Sequence, residues 1–102
     1  MIKVKLTKEG NQIKKIKISG HAGYAEAGKD IVCAAVSSSV ILTINNILTI
    51  DNEALTYDNR ADLEINILKD DKIINILINN LVNSLSELEA DYQEFIKIES
   101  ED

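Results

Sequence analysis

The chain of 102 residues holds one cysteine, Cys33, and one histidine, His21. A thiolate beside an imidazolium is the activated pair that covalent acyl transfer uses, and it needs no further catalytic group of unusual type. Cys33 follows Asp30 by three residues, and Asp30 has the character of an N-cap ahead of the apolar run Ile31-Val32-Cys33-Ala34-Ala35-Val36. The thiol therefore sits in the first turn of an expected helix. There the unpaired N–H groups and the helix dipole favour an anion, and such positions can lower a cysteine pKa from about 8.5 into the range of roughly 3.5–7.5. The first-turn amides near Val32 to Ala34 are also expected to donate to an oxyanion. The Asp30 carboxylate would oppose a thiolate if close, so its expected service is to fix the helix start or to orient His21.

The plainer alternative stands beside this one. A lone cysteine in an apolar helix is usually an inert core residue, and a lone histidine in a loop is more often a solvated surface group. Ser37 and Ser38 are candidates for holding reactive groups in place, although small helical serines commonly face a neighbouring helix, which is the better account of Ser38 and Ser39. Tyr24 is expected to contact a ligand through its ring or to cap the loop. A single cysteine excludes an internal disulfide framework, and one Cys with one His excludes the usual Cys/His zinc cluster, so no metal ligands are assigned.

The elements that must position this pair can be read from periodicity. Residues 2–7 and 12–19 read as strands, with Ile2, Val4 and Leu6 on one face and Ile16 and Ile18 on another. They are joined as a hairpin through Glu9-Gly10-Asn11, where Gly10 supplies positive φ. Ser19 to Lys29 holds three of the four glycines and has no sustained period, and reads as a mobile loop carrying His21. The helix from Ile31 continues through Val40, Ile41, Ile44 and Leu48, roughly 27 Å at about 1.5 Å per residue. Leu55 to Tyr57 reads as a short strand, with Asp58-Asn59 as a turn, pairing with the alternating Asp62 to Ile67. A second helix begins at Asp70-Asp71 and shows Ile74, Leu77, Ile78, Leu81, Leu85 and Leu88 as its stripe. Phe95, Ile96 and Ile98 read as an edge strand before a charged tail. The expectation is a single α+β domain over residues 1–102: a mixed, mainly antiparallel sheet of four or five strands with two helices packed on it.

Composition narrows the function classes. Eleven Lys and Arg against seventeen Asp and Glu give a net charge of −6, which lacks the basic footprint that phosphate contacts require, so no nucleic-acid partner is expected and a basic protein partner fits better. No apolar run is expected to approach the roughly 18 residues that cross a bilayer, and the start of the chain alternates like a strand instead of showing a signal-peptide pattern. The expected location is a reducing cytoplasm, without membrane contact. One sheet covered on one face leaves the other exposed or buried in a second copy, so a C2 homodimer is expected.

The run Gly20-His21-Ala22-Gly23-Tyr24 through Asp30-Ile31-Val32-Cys33-Ala34-Ala35-Val36-Ser37 resembles the signature of the ribosomal-processing cysteine proteases, the Prp family. That signature is a Gly-His, a variable glycine-bearing loop, then Gly-x-Asp-Ile-Val-Cys-Ala. The likeness extends over nearly the whole chain in length and element order, but only residues 20–37 are specific. It implies Cys33 as nucleophile, His21 as general base, and Gly20, Gly28, Asp30 and Ser37 as supporting positions, with no cofactor. Where many relatives carry a small and then a larger apolar residue after Ser37, this chain has Ser38 and Ser39. The resemblance further implies a substrate: the amino-terminal extension of large-subunit ribosomal protein twenty-seven, cut after a short apolar, aromatic-bearing sequence. The alternative from another class is a non-enzymatic ribosome-associated dimer that binds the same basic tail, with Cys33 buried.

Overall fold

The computed structural model describes residues 1–26 and 30–101. Two hairpins and two helices alternate along the chain: β1 (Ile2–Glu9), β2 (Gln12–Ser19), α1 (Ile31–Ile50), β3 (Leu55–Asp58), β4 (Leu63–Ile67), α2 (Lys72–Asp91) and β5 (Ile96–Glu101). The β1–β2 connection is Gly10-Asn11, with positive φ at Gly10 alone, +64°. A two-residue hairpin of the type that places glycine at its first central position has this form, and its twist matches that of the flanking strands.

The five strands make one sheet in the order β3-β4-β2-β1-β5. Every neighbouring pair is antiparallel except β1 with β5, which is parallel from Ile2 opposite Ile96 to Thr7 opposite Glu101. Strands β2 and β3 consequently run in the same direction, as do β4 and β5. A same-direction connection cannot be made by a tight turn and needs a long crossover, which α1 and α2 supply. The expected mixed, mainly antiparallel α+β architecture is the one observed, with five strands. The last strand extends further than expected, through Glu101, because Glu99 and Glu101 project from the open face of the sheet and cost nothing to solvate.

Alternation puts Ile2, Val4 and Leu6 of β1, Ile16 of β2, Ile65 and Ile67 of β4 and Ile96 of β5 on the helix side, all buried. The opposite face carries Lys3, Lys5, Lys15, Lys17, Glu64 and Lys97. Lys15 and Lys17 lie 3.5 and 3.9 Å from Glu64, exposed pairs that each contribute little stability. This face is solvated by its own charges, so the sheet supplies no apolar surface for a second copy to cover.

Helix α2 buries Ile74, Ile78, Leu81 and Leu85 and half-buries Leu77 and Leu88, the expected stripe. Its cap is Asp71, whose carboxylate accepts from Ile73 and Ile74 N–H at 2.9 and 3.1 Å. Helix α1 turns a slightly different face inward: Val32, Val36, Val40, Ile44 and Ile47 are buried, while Ile41 is exposed and Leu48 half-buried. Helix α1 also has the length and composition, 20 residues at a mean hydropathy of 1.9, of a membrane-crossing segment, contrary to the expectation that no apolar run approaches that length. The reason is that α1 is apolar on more than the stripe it buries: Val32, Val36, Val40, Ile44 and Ile47 face the core, while Ile31, Ile41, Leu42 and Ile50 are exposed.

Candidate functional site

The site is built where β2 ends and α1 begins. After Ser19 the chain leaves the sheet through Gly20, whose φ is +80°. A β-carbon at Gly20 would run into the carbonyl oxygen of Met1. Both the backbone conformation and the close approach therefore demand glycine, and the next residue, His21, stands exposed beyond the end of the central strand. Ala22 then folds back and is buried, and its N–H donates to Cys33 Sγ at 3.4 Å. One backbone step past the histidine is thereby tied to the sulfur.

Asp30 fixes the other side. Its Oδ1 accepts from the N–H groups of Val32 and Cys33, each at 3.0 Å, and its Oδ2 accepts from Tyr24 N–H at 3.1 Å. The Cys33 amide is the foremost reason that the Asp30 carboxyl titrates below its ordinary value. Desolvation opposes it, and the Tyr24 and Ala25 amides and the Cys33 thiol add to the lowering. Asp30 is thus a cap and a loop anchor in one residue. Among the described residues it makes no hydrogen bond to His21, so of its two expected services the structure gives it the helix start.

The cap corrects the expectation about the oxyanion. Val32 and Cys33 N–H are taken by the Asp30 carboxylate, and Ala34 N–H donates to the Asp30 carbonyl at 3.1 Å. The first-turn amides are engaged within the helix start, and the Ala22 N–H is the backbone donor held against the sulfur. Tyr24 proves to be the loop's fastener: its ring meets those of Tyr92 and Phe95 edge-on, with centroids 5.6 and 5.2 Å apart. Sequence reasoning missed Tyr92 and Ala22. The first belongs to a polar run at the end of α2 and the second is an ordinary alanine whose role is purely backbone.

These pieces form an open cavity of about 570 Å³, lined by His21, Gly23, Ala25, Asp30, Cys33, Ala34 and Ser37. Cys33 is partly buried: it packs against the core and also lines the cavity. Ser37 lies one helical turn beyond Cys33 on the same flank and is exposed toward the cavity. Ser39, by contrast, spends its hydroxyl on the carbonyl of Ala35 at 2.8 Å, the back-bonding expected of a helical serine. Among the described residues no hydrogen bond joins His21 to Cys33, although both line the cavity. Gly28, a supporting position in the sequence reading, lies outside the described residues, as does the part of the expected mobile loop beside it.

A cysteine and a histidine lining one open cavity beside a capped helix start fit thiol-dependent acyl transfer, and comparison with known proteins decides the family. A profile described as cysteine protease Prp matches residues 1–97. The chain belongs to the Prp family of cysteine proteases. An essential ribosomal processing protease Prp from S. aureus, solved in complex with a covalently linked product peptide, superposes with a TM-score of 0.91 at 25% identity, covering 99% of this chain and 100% of that one. The S. aureus protease solved with a substrate peptide gives a TM-score of 0.87 at 23% identity over 99% of this chain and 100% of that one. A Streptococcus mutans protein gives 0.82 at 23% identity, with 98% and 93% covered. No curated protein matches. The Prp fold is thus kept across chains that share about a quarter of their residues or fewer.

Proposed function

We propose that this Prp-family protease removes the short amino-terminal extension of large-subunit ribosomal protein twenty-seven, using Cys33 as nucleophile and His21 as general base. One observation supports this reading above the others: the thiol and the imidazole line one open cavity at the entrance of α1, and the residue after the histidine is tied to the sulfur. The peptide found with the S. aureus relative supports the substrate class.

The steps follow from the two side chains. His21 takes the proton of the Cys33 thiol as the sulfur attacks the scissile carbonyl carbon, giving a tetrahedral oxyanion. Collapse of that intermediate breaks the C–N bond, and the imidazolium returns its proton to the departing amine. The thioester left on Cys33 is attacked by water whose proton passes to His21, and release of the carboxylate side restores the thiol. Hydrogen bonds between catalytic groups often tighten only when substrate is bound, so the separate thiol and imidazole of the free protein are a starting geometry that a docked peptide completes. The protein is proposed to act in the cytoplasm and as a homodimer.

The decisive experiment incubates the protein with a peptide spanning the extension junction and reads the products by mass spectrometry. Two fragments are expected from the wild type, and none from Cys33→Ala or His21→Ala. Undiminished cleavage by either variant excludes the dyad.

A further inference from the structure

Along α1, residues four apart stand one above another on the same flank, which sets Cys33, Ser37 and Ile41 in a row with Ile44 beside it. Ser37 lines the cavity of the thiol and also lines a second cleft, of about 280 Å³, farther along the helix. Ser37 therefore stands between the two spaces. The helix wall of the second cleft is Val36, Val40 and Ile44, all buried. Its floor is Ile18 and Leu63, which face each other across the β2–β4 ladder. Ile41 and Tyr57 stand at its mouth, 58% and 51% exposed.

Single apolar side chains at a surface are ordinary, but an apolar concavity adjoining the cavity that holds the thiol has the form of a ligand site. Among the described residues that line the cleft there is no carboxylate, ammonium or guanidinium. A charged side chain placed there would lose water and find no opposite charge, only the neutral Ser37 and Asn59, whereas an apolar one would gain from the same desolvation.

We propose that this cleft is a specificity subsite of the protease, receiving an apolar or aromatic side chain of an extended peptide whose scissile carbonyl lies at Cys33, with Ile41 and Tyr57 setting the preference. The proposal rests on the peptidase reading above. Ile41 lies eight helical steps beyond Cys33, or roughly 12 Å at about 1.5 Å per step. An extended peptide advances about 3.3 Å per residue, so the occupant belongs to a residue about three or four positions from the cut. Ser37, between the two spaces, is where the peptide backbone passes.

The test pairs enzyme variants with substrate variants. Ile41→Asp and Tyr57→Ser change exposed side chains, and iodoacetamide alkylation of Cys33 should stay within about twofold of the wild type, showing that the thiol cavity is intact. On the junction peptide each variant should lower kcat/KM by at least about tenfold, carried mainly by KM, the scale on which an apolar pocket discriminates. In the wild type, aspartate placed three or four residues from the cut should cause a similar loss, and Ile41→Asp should add little to it on that peptide. Cleavage of the junction peptide by both variants at the wild-type rate and KM overturns the subsite while leaving the peptidase reading standing. Should the wild type cleave nothing, the peptidase reading falls, and fluorescence polarisation of the labelled junction peptide still decides the cleft. Binding to Cys33→Ala that weakens at least about tenfold when Ile41→Asp is added supports it, and equal binding overturns it.

Discussion

At the residue scale, the sites that sequence could name and those it could not divide by whether side chain or backbone does the work. Cys33, His21 and Asp30 were legible because their side chains are chemically distinctive and fall at an expected helix start. Ala22 was not, because its contribution is an N–H aimed at sulfur, which any residue could offer. Gly20 lies between these cases: its place before the histidine was visible, but the reason is the carbonyl of Met1 pressed against it and a φ of +80°. Gly20→Ala should therefore do two kinds of damage. Left-handed backbone costs an L-residue about 1–2 kcal/mol, and the clash with Met1 adds to that by displacing either the end of β2 or the start of β1. A lower melting temperature together with loss of junction-peptide cleavage is expected, read by thermal denaturation and mass spectrometry. A variant that melts and cleaves like the wild type would show that His21 does not depend on this approach. Gly10, with positive φ but open space around it, is the control: Gly10→Ala should cost stability and leave cleavage in place.

At the element scale, the amphipathic stripe of α2 and the alternation in β1 and β4 fixed those elements closely, because one face of each is buried and the other solvated. Helix α1 was harder to orient. It is apolar on more than one side, so periodicity could not separate Ile41, which is exposed, from Val36, which is buried. The same surplus of apolar residues gives α1 its resemblance to a membrane segment and, in the proposal above, its subsite wall. Its start is the element on which the site depends, and Asp30 makes a pH prediction there. The folded-state pKa of Asp30 lies below its ordinary value, so its stabilising contribution is present above the unfolded-state pKa and is lost as pH falls through the folded one. The gap in melting temperature between wild type and Asp30→Ala should be constant from neutral pH down to about pH 4 and close only at more acid pH. A gap that persists unchanged into strong acid would mean that the carboxylate charge is not what the cap uses. Because Asp30 also holds Tyr24 N–H, Asp30→Ala should lower cleavage more than stability alone explains. Asp71→Ala, which removes the cap of α2 far from the thiol, should cost about 1 kcal/mol and leave kcat/KM unchanged.

At the scale of the whole molecule, the strand order and the parallel placement of β5 beside β1 lay outside what one sequence discloses, since nothing local in Ile96 to Glu101 records which edge it will join. Charge was legible as a total and not as a distribution: a chain of net −6 gathers Lys3, Lys5, Lys15, Lys17 and Lys97 on the open face of its sheet. That arrangement moves the expected dimer contact away from the sheet. The outward side of α1, where Ile31 and Leu42 lie about three turns apart at 53% and 62% exposure, offers a second copy apolar side chains instead. Light scattering coupled to size exclusion should then give the mass of two chains for the wild type and of one for Leu42→Glu. Leu42 points about a quarter-turn away from Ile41, so the same variant should still bind and cut the junction peptide if each cavity is complete within one chain. Loss of cleavage in parallel with loss of the dimer would instead mean that a neighbouring subunit completes the site, and a wild type that runs as one chain at every concentration would remove the dimer from the proposal altogether.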